Sequence, residues 1–477
     1  MSHKWVFSSV LVTTIIFLIR PAAADQCDDL RDAEPRIAAC TQSINSGKWK
    51  GHNQAVNYAN RGNAYRKKGD LDRAIADYSQ AISLDPKYTN AYDDRGYTHY
   101  SKRDLDHAIA DFNQAISLDP KYANAYNNRG NAYSDKGDID RAIADFNQAI
   151  SLDPKFAWPY NNRGLAYHDK GDLDHTIADY NQAISLDPKY AMAYNNRGNA
   201  YRDKGDIDRA IADFNQAISL DPKFAWPYNN RGLAYHAKHD LDHAIVDFNQ
   251  AISLDPKYAY AYYNRGLAYQ DKGDLDRAIA DYSQAISLDP KYAKAYNNRG
   301  NAFRDKGDVD HAIADYSQAI NLDPKLVLPF MNRGFLNLSA GALPKALADF
   351  NQASALDPKD AYVALWLDIA GQRNNVPSRL MRASSQLDMT KWPAPVIGLF
   401  LGQMTVAAVL AAADDPDLNK KKGHVCEANF YGGELSLIKG SKDEAARLFR
   451  LAANDCPHGF VEWDAAKAEL KALGAAP

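Results

Sequence analysis

Asn60, Asn128, Asn162, Asn196, Asn230, Asn264, Asn298 and Asn332 recur at one fixed period, with a single double step after Asn60. A carboxamide carries both a hydrogen-bond donor and an acceptor. That pair matches the N–H and C=O of an extended peptide backbone, so a ladder of such groups could hold polypeptide without demanding a sequence. A second row, Asn127, Asn161, Asn195, Asn229 and Asn297, directly precedes members of the first. It would double the polar lining. Asp94 fills the missing step, and the ladder is expected to begin in effect at Asn128. A local structural role for these amides is the alternative. Trp158, Trp226 and Tyr260 each lie one helical turn before one of the asparagines. They could anchor a ligand or rest on the preceding repeat, and a glycan would also use such aromatics. Pro159 and Pro227, which follow the tryptophans, suit the first turn of a helix.

Nine arginines, from Arg61 to Arg333, recur in the same phase, and nine aspartates, from Asp77 to Asp349, follow them at a constant offset. Burying an unpaired guanidinium is very costly, so the constant aspartate predicts a paired structural ladder. A grip on an acidic ligand is the alternative. His107, His175, His243 and His311 recur at twice the period. Helix-packing distances put successive members on the order of 20 Å apart, whereas zinc ligands bind at about 2 Å. They cannot share a metal and are expected on a solvated face. The chain shows no nucleophile elbow, phosphate loop or HExxH pattern. Its Ser, His and Asp residues are copied with the repeat, as in a scaffold. No enzyme activity, cofactor or metal site is expected.

The elements that must position these side chains follow from the same period. Gly62 to Gly334 and Pro86 to Pro358 step by 34 in phase, giving nine gapless repeats over residues 55–360. In the third, Tyr126, Gly130 and Tyr133 fall on one face of a helix, and Ala142, Phe146, Ala149 and Ile150 do so on a second. Gly130 and Ala142 are small enough for close approach. Gly137 fits a left-handed C-cap, Asp138 an N-cap, and Pro154 a helix stop. Neither helix can bury its apolar stripe alone, so neighbours must stack into one continuous core. Most Tyr and Phe residues then belong to that core. Residues 123–190 and 191–258 differ at only seven positions, so the unit last duplicated was a pair of repeats.

Tyr126, Gly130, Tyr133, Ala142, Phe146, Ala149 and Pro154 occupy positions 4, 8, 11, 20, 24, 27 and 32 of the unit. With these residues the repeat resembles the tetratricopeptide repeat (TPR). The resemblance implies an all-α fold, a right-handed TPR superhelix or α-solenoid, with the asparagines of position 6 lining a concave groove that binds polypeptide. Trp158, Trp226 and Tyr260 then stand at position 2. A clamp for acidic chaperone tails needs basic groove residues. Lys294 alone supplies one at position 2, and position 5 has none.

The ends read differently. Lys4, the apolar run Trp5–Ile19, and Ala22 and Ala24 predict a signal peptide over residues 1–24. The run of about 15 residues is short for a spanning helix, which needs about 20; an uncleaved anchor is the alternative. Four cysteines lie outside the repeats, and the pairs Cys27–Cys40 and Cys426–Cys456 are expected as disulfides. Reduced pairs or a metal site are the alternatives, and zinc lacks further ligands at suitable spacing. Residues 25–54 read as an N-terminal helical cap, in which "RIAACTQSI" (36–44) mimics the second helix "AIADYSQAI". Residues 361–477 read as a C-terminal helical domain. Within it Gly433, Ala445, Phe449, Ala452 and Pro457 form a degenerate repeat, a capping helix runs from about Phe460 to Leu473, and 414–423 is a solvated loop. "LWLDIA" (365–370), "VCEANFYGGELSLIKGSKDEAARLFRLAAND" (425–455) and "GFVEWDAAKAELKALG" (459–474) resemble the C-terminal part of NlpI-type periplasmic TPR proteins. That resemblance implies recruitment of envelope enzymes, such as a processing protease and murein hydrolases.

The chain is 46% hydrophobic and 24% charged, with a net charge of −4 and basic residues interspersed among acidic ones. Such a balance offers no footprint for nucleic acid. The expected protein is a periplasmic or secreted scaffold or adaptor for other proteins or peptides, without membrane insertion once the signal is removed. A glycan- or peptidoglycan-binding solenoid and a self-associating scaffold are the alternatives.

Overall fold

The computed structural model describes residues 27, 32–457 and 460–475, which contain 26 helices and no strand. The signal-peptide segment, residues 1–24, lies outside the described residues. None of the described helices is long and apolar enough to cross a membrane. The chain divides into two compact units, residues 1–222 and 223–477.

Repeat three shows how the sequence builds the unit. Its first helix is Ala123–Asp135 and its second Ile139–Leu152. Gly137 turns the chain between them at φ +79°, a conformation that costs glycine nothing. Asp138 then caps the second helix by accepting the Arg141 N–H at 3.2 Å. Asp153, in extended conformation, and Pro154 end it. The two helices touch at Gly130, where an added Cβ would lie 2.6 Å from Phe146 Cε1. Ala142 and Phe146 share their core with Ala166 of repeat four. Each full burial of such a phenylalanine contributes about 1.5–3 kcal/mol. The left-handed turn is kept even where its glycine is missing: Arg103 adopts φ 64° and His239 φ 58°.

In the first unit, the N-terminal helix Ala33–Asn45 serves as a lone second helix. Thr41 Oγ1 accepts from Arg61 Nη1 at 3.1 Å, just as Ser79 accepts from Arg95 at 3.0 Å. Glu34 pairs with Lys68 as Asp106 pairs with Lys136. The Cys27–Cys40 disulfide is present, with Cα atoms 4.9 Å apart.

In the second unit, the helix Ala361–Arg373 follows the ninth repeat, and three short helices lead to Leu418–Ile438, Lys442–Asp455 and Val461–Ala472. The degenerate repeat packs like the regular ones: a Cβ added at Gly433 would lie 2.6 Å from Phe449 Cε1. Trp366, Phe430, Tyr431 and Phe449 form an aromatic centre for this end. Cys426 and Cys456 are bonded, with Cα atoms 4.7 Å apart. The expected loop over 414–423 is only partly one. Asp417 accepts the N–H groups of Asn419 and Lys420, at 2.9 and 3.4 Å, and so starts a helix at Leu418, two turns before Cys426.

Candidate polypeptide-binding face

The arginine and aspartate rows meet in every repeat. Nε and Nη2 of each arginine bond both carboxylate oxygens of its aspartate, as in Arg129–Asp145 at 2.8 and 2.7 Å. This bidentate geometry recurs from Arg61–Asp77 to Arg333–Asp349. It holds the Arg129 guanidinium above its ordinary pKa, against the opposing effect of burial. The remaining nitrogen reaches back one repeat, Arg129 Nη1 to Asn113 Oδ1 at 2.6 Å and Arg265 Nη1 to Asn249 Oδ1 at 2.5 Å. The arginines thus bind the two helices of a repeat and the seam to its neighbour. They are not aimed at an acidic ligand.

The asparagines form a second seam. Asn162 Nδ2 donates to Asn127 Oδ1 at 3.0 Å, and Asn196 Nδ2 to Asn161 Oδ1 at 3.1 Å. Within a repeat the position-5 amide returns a bond, from Asn161 Nδ2 to Asn162 Oδ1 at 3.1 Å. The second unit repeats the pattern in Asn264–Asn229 (2.9 Å), Asn332–Asn297 (3.1 Å) and Asn297–Asn298 (3.0 Å). The position-5 row, Asn127, Asn161, Asn195, Asn229 and Asn297, is buried throughout. It does not double the groove lining, as its spacing had suggested, because burial commits it to the seam. Asn128, Asn162, Asn196, Asn230, Asn298 and Asn332 are half-buried. An amide has two N–H donors and two acceptor lone pairs, so Asn162, with one of each engaged by the seam, keeps one of each to offer.

Asn128 Nδ2 donates to Asp93 Oδ1 at 3.0 Å, so an aspartate supplies the acceptor that asparagine supplies elsewhere. Burial pushes the Asp93 carboxyl up to about 6. Repeat one has Ala59 at position 5 and so no acceptor. Correspondingly Asp94 accepts instead, from Asn63 Nδ2 at 3.4 Å, with Arg66 at 3.5 Å. In repeat seven the Tyr263 hydroxyl accepts from Asn298 Nδ2 at 2.9 Å.

Position 2 stands outside both seams. In the first unit Trp158 is 56% exposed and lies beside Phe156, with ring centroids 5.8 Å apart. In the second, Trp226 is 48%, Tyr260 59% and Leu328 65% exposed. Trp226 leans on Phe224 at 5.6 Å and Tyr260 on Tyr292 at 5.2 Å. Each aromatic therefore rests one edge on a neighbouring ring and leaves the other to solvent. Leu328 was not singled out from the sequence, although its register, one period after Lys294, marks it.

The position-19 histidines lie on the outer surface as expected. Each bonds the aspartate that caps its helix, as in His175–Asp172 at 2.7 Å, and stacks on the ring at position 11. In repeat two that ring is His99, which brings His99, Asp104 and His107 together. Theirs is the one group of three metal-capable side chains among the described residues. His99 occupies the seat that Tyr167 holds in repeat four.

Residues 62–273 match the TPR repeat family and residues 259–326 the tetratricopeptide repeat, together more than half of the chain. The chain belongs to the tetratricopeptide repeat family. Among solved structures, MamA is similar at 32% identity over 34% of this chain and 95% of its own, with a TM-score of 0.31. The pilF product of Pseudomonas aeruginosa is 17% identical over 43% of this chain and 94% of its own, with a TM-score of 0.40. YrrB, described as a TPR protein with an unusual peptide-binding site, is 23% identical over 39% and 95%, with a TM-score of 0.31. In this TPR chain the invariant polar residues hold the repeats together, and the variable position 2 meets solvent.

Proposed function

We propose that this TPR protein is an exported scaffold that binds extended polypeptide along the first-helix face of its repeats. Position 2 supplies the anchors and position 6 the polar contacts. One observation carries the reading: Trp158, Trp226, Tyr260 and Leu328 occupy a single register and are each about half exposed or more. Exposed apolar side chains are ordinary when scattered singly; what supports the reading is that these recur at the one repeat position that lies a turn before the position-6 amides. Residues at positions 2 and 6 share a helix face, so Trp158, Trp226 and Leu328 sit one turn from the half-buried Asn162, Asn230 and Asn332, and Tyr260 one turn from the buried Asn264. Membership of a family of protein-binding scaffolds supports the same reading.

Export rests on the signal-like residues 1–24 and on the two disulfides, which persist in oxidising compartments. A periplasmic or secreted site follows. There the protein would act as an adaptor that brings envelope enzymes, such as a protease or murein hydrolases, to their substrates. The test is affinity capture from envelope extract with the wild-type chain and a Trp158→Ser/Trp226→Ser/Tyr260→Ser variant. Proteins lost from the variant alone are the clients. Identical protein sets would sink the reading, and loss of glycan only would replace it with carbohydrate binding.

A further inference from the structure

The repeat register runs on past repeat nine, and the lining changes there. Ala361 stands one period after Val327, so Tyr362 and Trp366 fall at positions 2 and 6 of the next helix. Met331 replaces the position-5 asparagine opposite them. The amide seam therefore stops at Asn332, and a pocket of about 270 Å³ opens on the same helix face. Phe335, Tyr362, Trp366 and Phe460 line it with aromatic rings, and Glu427 and Glu462 line it with acid.

Both glutamates are buried, 6% and 7% exposed. Glu427 accepts from the Tyr362 hydroxyl at 3.0 Å and from Trp392 Nε1 at 2.7 Å. Glu462 accepts from the Tyr431 hydroxyl at 3.0 Å. All these donors are neutral, and among the described residues no basic side chain pairs with either acid. Most other buried acids have a base: the aspartates that follow the arginine row, Asp77 to Asp349, bond their arginines, and Arg373 bonds Glu469 at 2.6 and 3.1 Å and reaches Glu434 at 3.4 Å. Asp93 and Asp368 also bond neutral donors, but each stands alone, whereas Glu427 and Glu462 line one pocket together. Burial first, and then the nearby Glu462 charge, push Glu427 up to about 7. Burial also raises Glu462.

Two acids that bond no basic side chain among the described residues, walled by aromatic rings, suit a cation brought from outside. The rings attract positive charge through their faces, and a desolvated carboxylate pair strengthens charge-assisted hydrogen bonds. A hard metal ion fits poorly, because it needs about six oxygen ligands and would meet aromatic walls. An ammonium or guanidinium on an apolar stem fits both parts, the stem lying against Met331 and Val461. We propose that this pocket binds the lysine or arginine side chain of a polypeptide laid along the groove. The polypeptide carrier rests on the reading given above; the affinity for the side chain does not.

The test uses single-residue probes that cannot span the groove. The full chain is titrated with Nα-acetyl-arginine amide, Nα-acetyl-lysine amide and the neutral Nα-acetyl-citrulline amide, with binding read by calorimetry and saturation-transfer NMR. At least one cationic probe is expected to bind at least tenfold more tightly than citrulline. Glu427→Gln/Glu462→Gln should abolish that preference, and Trp158→Ser/Trp226→Ser/Tyr260→Ser should leave it intact. The Gln variant removes buried charge without changing shape, so its melting temperature should not fall. If it does fall, the probe comparison on the wild-type chain still decides. Equal binding of citrulline, no binding of any probe, or an undiminished preference in a folded Gln variant would each overturn the assignment. Failure of the groove reading would show separately, as client capture that survives loss of the position-2 anchors.

Discussion

At the scale of single residues, one side-chain type does two jobs. A position-5 asparagine is buried in the seam and a position-6 asparagine is shared between seam and surface. Asn196→Ala removes the donor to Asn161 Oδ1, and an unsatisfied buried acceptor costs about 1–3 kcal/mol. Urea denaturation should show a loss of that size, and a change near zero would mean the seam bond is not formed. Asp93 gives the opposite test. Its folded pKa of about 6 lies above the usual carboxylate value, because burial disfavours its charge. Its contribution to stability is therefore fully present below about pH 4 and is lost as pH rises through about 6. Asp93→Asn restores the amide found at this position elsewhere. It should raise stability at neutral pH by about 2 kcal/mol, with little gain at about pH 4, as read by thermal melts at the two pH values. The structural role of these amides was hard to read from sequence, since a seam asparagine and a ligand-binding one look alike. The hint lay in the substitutions that travel together across a seam. Ala59, which offers no side-chain acceptor, comes with Asp94, which at neutral pH offers no amide donor, and Met331 comes with Trp366 in place of the amide.

At the scale of the helix, the repeat was fully legible because its constraints are local and steric. At both Gly130 and Gly433 an added Cβ would lie 2.6 Å from the ring of Phe146 or Phe449, so a larger residue at position 8 disturbs the packing. Gly198→Ala, whose Cβ would lie 2.6 Å from Phe214, should cost about 1–3 kcal/mol by overpacking. His239 is the converse case. It holds φ 58° where glycine would be relaxed, and a non-glycine residue there costs about 1–2 kcal/mol. His239→Gly should recover about that amount in chemical denaturation; destabilisation would show that its side chain matters more than its backbone. The irregular C-terminal helices were less legible. The start of the helix at Leu418 depends on a local Asp417 cap that carries no periodic signal.

At the scale of the whole molecule, buried acids collect at the C-terminal end of the second unit, where Glu427 and Glu462 bond only neutral donors among the described residues and Glu434 meets Arg373 at 3.4 Å. Glu427, Glu434 and Glu462 are all raised by burial. The folded chain thus keeps protons there that the unfolded chain gives up near the ordinary glutamate value. Stability of this end should fall as pH rises from about 5 to about 8, and Glu427→Gln should flatten the fall. Calorimetric scans across that range would show it; a rise in the melting temperature would contradict the sign. Cys426→Ala/Cys456→Ala opens a 30-residue loop and should cost the same end about 2–4 kcal/mol. These acids escaped the sequence reading because Glu427 and Glu462 are far apart in the chain and meet only once the terminal helices fold back.

The central claim is that clients lie on the first-helix face. A photo-crosslinking amino acid placed at Leu328, 65% exposed on that face, tests it against the same group at Val246, 62% exposed on a second helix. The probe is a reduced, alkylated protein that cannot fold. Covalent adducts from residue 328 and none from residue 246 are the predicted result. Equal adducts from both, or from residue 246 alone, would contradict the account.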